Sequence, residues 1–232
     1  MRPDLRLIAV SESALMVYFA KEVELSLPSA IRQLCDCLQA QFGTAILNLT
    51  PSYTSLLVEY HPLRTNQQQL SHFITTIKVN HTDAGLASSV ITLPAYYATE
   101  VGPDLTIMAN QLSLSVARII QIHSEALYTV CAIGFAPGFA FLAQVPDEIQ
   151  VPRLETPRHR VPKGSIGIAK NQTAVYPQDT PGGWQIIGNC PIDLYNPKQP
   201  QHCKLSIGDK IRFEAINQQE FIRLGGQICR SW

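Results

Sequence analysis

GFAPGFAFL (Gly134–Leu142), PRLETPRHRVPKGSIGIAKNQTAVYP (Pro152–Pro177) and TPGGWQIIGNCP (Thr180–Pro191) set glycine and proline turns between short apolar runs. Glycine permits positive φ and close backbone approach, while proline fixes φ and removes a donor. Within and around these segments, Tyr128–Ile133, Ser165–Ala169, Gln172–Tyr176, Trp184–Gly188, Pro191–Tyr195 and Lys210–Ala215 read as strands. Many short strands joined by Gly/Pro turns predict a closed or nearly closed β-barrel. Few but bulky polar groups stand among the turns: Arg153, Arg158, Arg160, Lys163, Gln172 and Tyr176. The segment therefore also predicts a preformed concave site on that scaffold.

Upstream of the barrel, Val90–Tyr97 reads as a strand broken by Pro94, and a helical hairpin follows. Asp104 caps its first helix, which carries Leu105, Met108 and Ala109. Ser113 starts the second, with Val116, Ile119, Ile120 and His123 on one face. The first third of the chain alternates differently. Leu5–Val10 and Ala14–Phe19 read as strands, and Pro28–Phe42 as a helix whose Ile31, Leu34, Cys35, Leu38 and Phe42 share a face before Gly43 ends it. Ala45–Leu49 and Thr54–Tyr60 follow as strands, then a helix carrying Leu70, Phe73, Ile74 and Ile77. Helices segregated to one side of a small open sheet make this an α+β domain. The loop-like HTDAGLASS (81–89) is the boundary, giving an α+β domain over 1–85 and a mainly-β barrel domain over 86–232 with the hairpin near its start.

Composition excludes several classes. Lys plus Arg and Asp plus Glu are 18 each, so no net field steers the 232-residue chain toward nucleic acid or an anionic membrane. A DNA-reading helix needs several basic or amide side chains, and Ser113–Ser124 offers only Arg118, Gln121 and His123. No apolar run approaches the ~20 residues that span a bilayer, and acids and serines interrupt the N-terminal stretch. Six scattered cysteines, Cys35, Cys37, Cys131, Cys190, Cys203 and Cys229, read as free thiols in a reducing compartment, which implies a cytoplasmic protein.

The candidate site residues each carry two readings. His123 ends a helix, where it is either a general base or a packed histidine satisfied by a backbone carbonyl. Glu100, Asp104 and His123 form either an acid/base or Mg²⁺-binding cluster, or Asp104 is a plain helix cap. Arg153, Arg158 and Arg160 alternate with Pro152, Pro157 and Pro162. They form either a solvated basic loop or, stiffened by proline and followed by Lys163, an anion site built from planar guanidinium forks. Gly182-Gly183-Trp184 lets backbone approach a partner, with the indole as core or as a stacking wall. Lys163-Gly164-Ser165 lacks the upstream glycine of a P-loop, and HExxH, paired CxxC and GxSxG are missing.

GPDL, IIQIHS, GFAPGFAFL, TPRHRVPKGSIGIAKNQTAVYP and TPGGWQIIGNCP, in that order, resemble the family of 5-oxoprolinase B subunits, also known as the KipI or allophanate hydrolase subunit 1 family. The resemblance runs from about Tyr96 to Phe221 and implies a cyclophilin-like β-barrel behind an α+β domain. It further implies two partner proteins, a homologous C subunit together with a hydrolase-like A subunit. ATP with Mg²⁺ is the implied cofactor, and ring opening of 5-oxoproline to L-glutamate the implied reaction. In that chemistry Arg158, Arg160 and Lys163 hold anionic groups, Gln172 orients the lactam amide, and His123 or Glu100 moves protons. A relative that inhibits a sensor histidine kinase supplies the alternative function. The chain departs from the family at Ala98-Thr99, Lys170-Asn171 and Ala174, where relatives commonly carry glycine.

Overall fold

The computed structural model describes residues 5–24, 26–77, 90–199 and 203–228. The linker expected across 81–89, and Cys229, lie outside these residues. By contacts the chain divides into two compact units, Met1–Ala87 and Ser88–Trp232.

In the first unit four antiparallel strands, β1 (Arg6–Ser11), β2 (Ala14–Tyr18), β3 (Ile46–Pro51) and β4 (Ser55–Tyr60), pair in the order β1-β2-β4-β3. The period-2 pattern sends Leu15, Val17, Leu56 and Val58 to one face. Two helices, α1 (Leu27–Phe42) and α2 (Gln67–Thr76), cover that face. Ile31, Leu34, Leu38, Leu70 and Ile74 join those strand residues in a single apolar core. Each such fully buried side chain is worth about 1.5–3 kcal/mol over leaving it in water. Pro28 occupies the first turn of α1, and Gly43 ends it at φ 50. Asn66 caps α2 by accepting the Gln69 N–H at 2.9 Å.

In the second unit β5 (Val90–Tyr96), α3 (Leu105–Leu112) and α4 (Val116–Glu125) precede β6 (Tyr128–Ile133), β7 (Ala140–Ala143), β8 (Arg158–Val161), β9 (Ser165–Ala169) and β10 (Gln172–Val175). Then come β11 (Thr180–Gly182), β12 (Gln185–Asn189), β13 (Lys210–Ile216) and α5 (Gln218–Arg223). Seven strands close a barrel in the order β10-β7-β6-β13-β5-β12-β9, sealed by the β9–β10 hairpin. Pro94 does not break β5. Its parallel pairing with β13 runs the full strand, whereas β12 pairs with it at Tyr96, so a position without a donor fits.

The barrel strands nearest the glycine-rich turns are buried on both sides. Leu142, Ile166, Ile168, Val175 and Ile187 pack in the main core with Leu105, Met108, Ile119 and Ile122 of α3 and α4. Phe139, Ala174, Tyr176, Trp184 and Ile186 form a second core on the other side, closed by the β8–β11 ribbon through Val161. Burial on two faces makes these strands read as continuous apolar runs.

Two further expectations change. Ser113 does not start α4; it is the left-handed residue ending α3 at φ 55, and Ser115 caps α4 by accepting the Arg118 N–H at 3.1 Å. Pro191–Tyr195 is not a strand: among these residues Tyr195 alone pairs, in an isolated bridge to Cys203. Cys35, Cys37, Cys131, Cys190 and Cys203 are free. Among the described residues no single helix is long and apolar enough to cross a membrane, and α3 and α4 bend 97° apart.

Candidate functional site

The segment Val151–Arg158 and the Gly182–Trp184 turn lie side by side. Leu154 N–H donates to Gly183 O at 2.7 Å, and the Gln185 amide reaches Pro152 O at 3.4 Å. This registry brings the Arg153 guanidinium over the Trp184 ring, 5.8 Å from its centroid. Below the indole, Phe139 meets Trp184 edge-on at 5.7 Å and Tyr176 at 5.2 Å, and Phe141 packs alongside at 6.0 Å from Trp184. Tyr176 is buried, and burial pushes its hydroxyl up to about 12 despite a Trp184 backbone hydrogen bond and nearby Arg153 and Arg158. It is a neutral phenol. Gly182 is required by that phenol: a Cβ there would stand 2.5 Å from Tyr176 Oη, whereas one on Gly183 would rest 3.6 Å from Pro157.

Three of the four candidate cations already hold carboxylates. Arg158 pairs with Asp104 at 2.7 Å and leans toward Trp184 O at 3.5 Å. Asp104 is 1 % exposed and makes no side-chain cap; its other oxygen accepts the Ile186 N–H at 2.5 Å. Both Asp104 oxygens are thus taken, and no group of three metal-ligating side chains gathers among the described residues. The side chains here do not fit a Mg²⁺ site. Arg160 pairs with Asp179 and Lys163 with Asp193, at 2.7 and 2.6 Å. Both line a separate groove of about 360 Å³ that also takes in Gly164, Asn189 and Gly225-Gly226. The Lys163 N–H and Arg160 hold the Asp179 carboxyl below its usual range. Arg153 makes no ion pair with any described residue and stands exposed over the Trp184 ring.

The remaining expected residues stand apart. His123 is fully buried, with Nδ1 2.7 Å from Tyr97 Oη and Nε2 3.0 Å from Thr173 Oγ1. Thr173 gives its one hydroxyl proton to Gly167 O, so His123 Nε2–H donates to it and Nδ1 accepts from Tyr97. The partners are hydroxyls rather than the backbone carbonyl expected. Desolvation lowers the imidazole to about 3, and it is neutral. Glu100 accepts from Tyr96 Oη at 2.8 Å, and Tyr96 stacks on Phe221. Gln172 lies at the opposite end of β10 from Tyr176, paired with Ala143 and Ala169. Lys170 sits at φ 55 in the β9–β10 turn, a position glycine takes without strain.

Phe139, Phe141, Asp179 and Asp193 escaped the reading of the turns, and Asp104, expected as a cap or in a Mg²⁺ cluster, is instead the partner of Arg158. The alternation Phe139-Ala140-Phe141-Leu142 was the available signal, since Leu142 faces the main core and both phenylalanines the second.

Residues 5–205 match the family model described as carboxyltransferase domain, subdomain C and D. The chain is 33% identical over 223 residues to the 5-oxoprolinase B subunit of Bacillus subtilis, covering 91% of this chain and 93% of that one. It is 39% identical over 166 residues to the 5-oxoprolinase B subunit of Haemophilus influenzae, 72% of this chain and 74% of that one. The crystal structure of TTHA0988 superposes with a TM-score of 0.79 at 29% identity, over 89% of this chain and 40% of that longer one. Kluyveromyces lactis urea carboxylase shares the fold at 16% identity and a TM-score of 0.72, over 95% of this chain and 22% of its own. By family model and by near full-length relatives, this chain belongs to the family of 5-oxoprolinase B subunits, within the carboxyltransferase subdomain C and D proteins.

Proposed function

We propose that this chain is the B subunit of an ATP-dependent 5-oxoprolinase and works with the A and C subunits to open 5-oxoproline to L-glutamate in the cytoplasm. The observation that carries the reading is likeness to the B. subtilis protein across 93% of its length. The site chemistry agrees. 5-Oxoproline is a five-membered lactam bearing one carboxylate, and Arg153, exposed above Trp184, offers one cation with no ion-pair partner among the described residues.

A lactam is a resonance-stabilised amide, and coupling to ATP supplies the drive for its hydrolysis. This chain's own residues bind and orient. Arg153 takes the substrate carboxylate, and Trp184, buried in the second core, supports it from below instead of forming a stacking wall. The Asp104–Arg158 pair ties the N-terminus of α3 to β8 and β12, so the wall is rigid before substrate arrives. His123 has no free nitrogen and is buried, so it links α4 to the barrel instead of moving a proton. Glu100 is half-buried and accepts a hydrogen bond from Tyr96, apart from the Arg153 wall. With both Asp104 oxygens engaged and no group of three ligating side chains among the described residues, no step of this chain runs through Mg²⁺. Neither the geometry nor these relatives favour the kinase-binding alternative.

Deleting the gene in its host tests the proposal. Growth on 5-oxoproline as sole nitrogen source should fail and internal 5-oxoproline should rise, both reversed by a plasmid copy. Unchanged growth and 5-oxoproline in the deletion strain would contradict it.

A further inference from the structure

The groove of about 360 Å³ lined by Arg160, Lys163, Asp179, Asn189 and Asp193 is of small-molecule size. Its two cations and two carboxylates cancel, so a bare phosphate or carboxylate finds no net field there. Hydrogen-bonding capacity remains on both signs. Lys163 Nζ gives one of its three protons to Asp193 Oδ1 at 2.6 Å, and Asp193 Oδ2 has no partner among the described residues. Arg160 directs Nε and Nη2 to Asp179 Oδ2, both at 2.7 Å, and its Nη1 is unused among the described residues. Asn189 adds a fixed polar group. It is 6% exposed, and its Nδ2 donates to Lys163 O at 3.0 Å, which orients the amide and leaves Oδ1 an acceptor without a partner among the described residues. Gly164, at φ 81, keeps that oxygen uncovered, because a Cβ there would stand 2.5 Å from it. A buried acceptor without a donor is unfavourable, and a ligand in the groove is the natural source of one.

We infer that this groove is a second ligand site and that it takes a zwitterionic α-amino acid. The unused N–H groups of Lys163 and Arg160 receive carboxylate, while Asp193 Oδ2 and Asn189 Oδ1 receive the ammonium. A zwitterion suits a groove of paired charges because it brings both signs in one molecule. Two cations suit two carboxylates, so a dicarboxylic amino acid fills the set best. Under the function proposed above, the ring-opened product L-glutamate is such a molecule; that identification rests on the proposed function, whereas the ligand class rests on the groove. 5-Oxoproline does not fit, since its ring nitrogen is an uncharged amide with a single proton. The groove therefore separates product from substrate, and Arg153 is not among the residues that line it.

The test titrates the full chain with L-glutamate by calorimetry and follows the backbone amide resonances of Gly164 and Asn189. Saturable binding that shifts both resonances is expected, with N-acetyl-L-glutamate, which has no ammonium, at least about 10-fold weaker. Added 5-oxoproline should not displace the bound amino acid. Asp193→Asn keeps the shape and removes a half-exposed charge. It should weaken L-glutamate at least about 10-fold at an unchanged melting temperature, while N-acetyl-L-glutamate binds no worse. Arg153→Met should bind L-glutamate as wild type does. No heat and no shift of those resonances at about 10 mM L-glutamate, equal affinity for the N-acetyl form, or an Asp193→Asn variant as tight as wild type overturns the inference. None of these three results touches the proposed function, which the deletion strain decides. Displacement by 5-oxoproline, or loss of binding in Arg153→Met, would put L-glutamate at Arg153, overturning the inference and supporting the proposed function.

Discussion

Acid should destabilise the second unit through one residue, His123. In the fold its imidazole is neutral, donating through Nε2 to Thr173 and accepting at Nδ1 from Tyr97, and burial lowers its pKa to about 3. In the unfolded chain an ordinary histidine titrates near 6.5. Between these values the unfolded state binds a proton that the folded state refuses, so stability falls as pH falls. The slope is about 1.4 kcal/mol per pH unit, or about 2 kcal/mol lost between pH 6.5 and 5. The depressed carboxyl of Asp179 loses its contribution only at lower pH, which keeps this window clean. Both tryptophans, Trp184 and Trp232, belong to the second unit, so urea unfolding followed by indole fluorescence reads it selectively. His123→Gln replaces the imidazole with a neutral amide, lowers stability at pH 7.5, and should flatten the dependence between pH 6.5 and 5. Equal slopes for wild type and variant would refute the buried neutral imidazole.

Further outcomes follow from the wall. Asp104→Ala strands Arg158 and the Ile186 N–H and should cost about 3–5 kcal/mol by urea unfolding, with part recovered in the Asp104→Ala/Arg158→Ala double variant. Gly182→Ala drives a methyl into Tyr176 Oη and should lose about 1–3 kcal/mol, while Gly183→Ala stays within about 0.5 kcal/mol of wild type in the same melts. Arg153→Met should raise the KM for 5-oxoproline of the assembled enzyme by about 10-fold to 100-fold with a smaller change in kcat, since the carboxylate contact is made before the chemistry.

Local chemistry was legible in the chain. The periodicity of Ile31, Leu34 and Leu38, the alternation in β2 and β4, and the Gly/Pro punctuation of the barrel all act within a few residues, and the structure carries each of them. The α4 start slipped because Ser113 and Ser115 are both good caps, and only backbone geometry separates a left-handed terminator from a cap. The site resisted reading for a different reason. Arg158, Arg160 and Lys163 look alike in a row, yet each is committed by a carboxylate elsewhere: Asp104 lies 54 residues from Arg158, and Asp179 19 residues from Arg160. His123 finds Thr173 across 50 residues. Which cation is left free depends on those long-range pairings, and Arg153 was indistinguishable from its neighbours until the fold matched the others.

The most direct test of the central claim is 5-oxoproline-dependent ATP hydrolysis by this chain mixed with its cognate A and C subunits, omitting each in turn. The account predicts that activity collapses when this chain is left out and returns when it is restored. Full activity from the other two proteins without it would contradict the account.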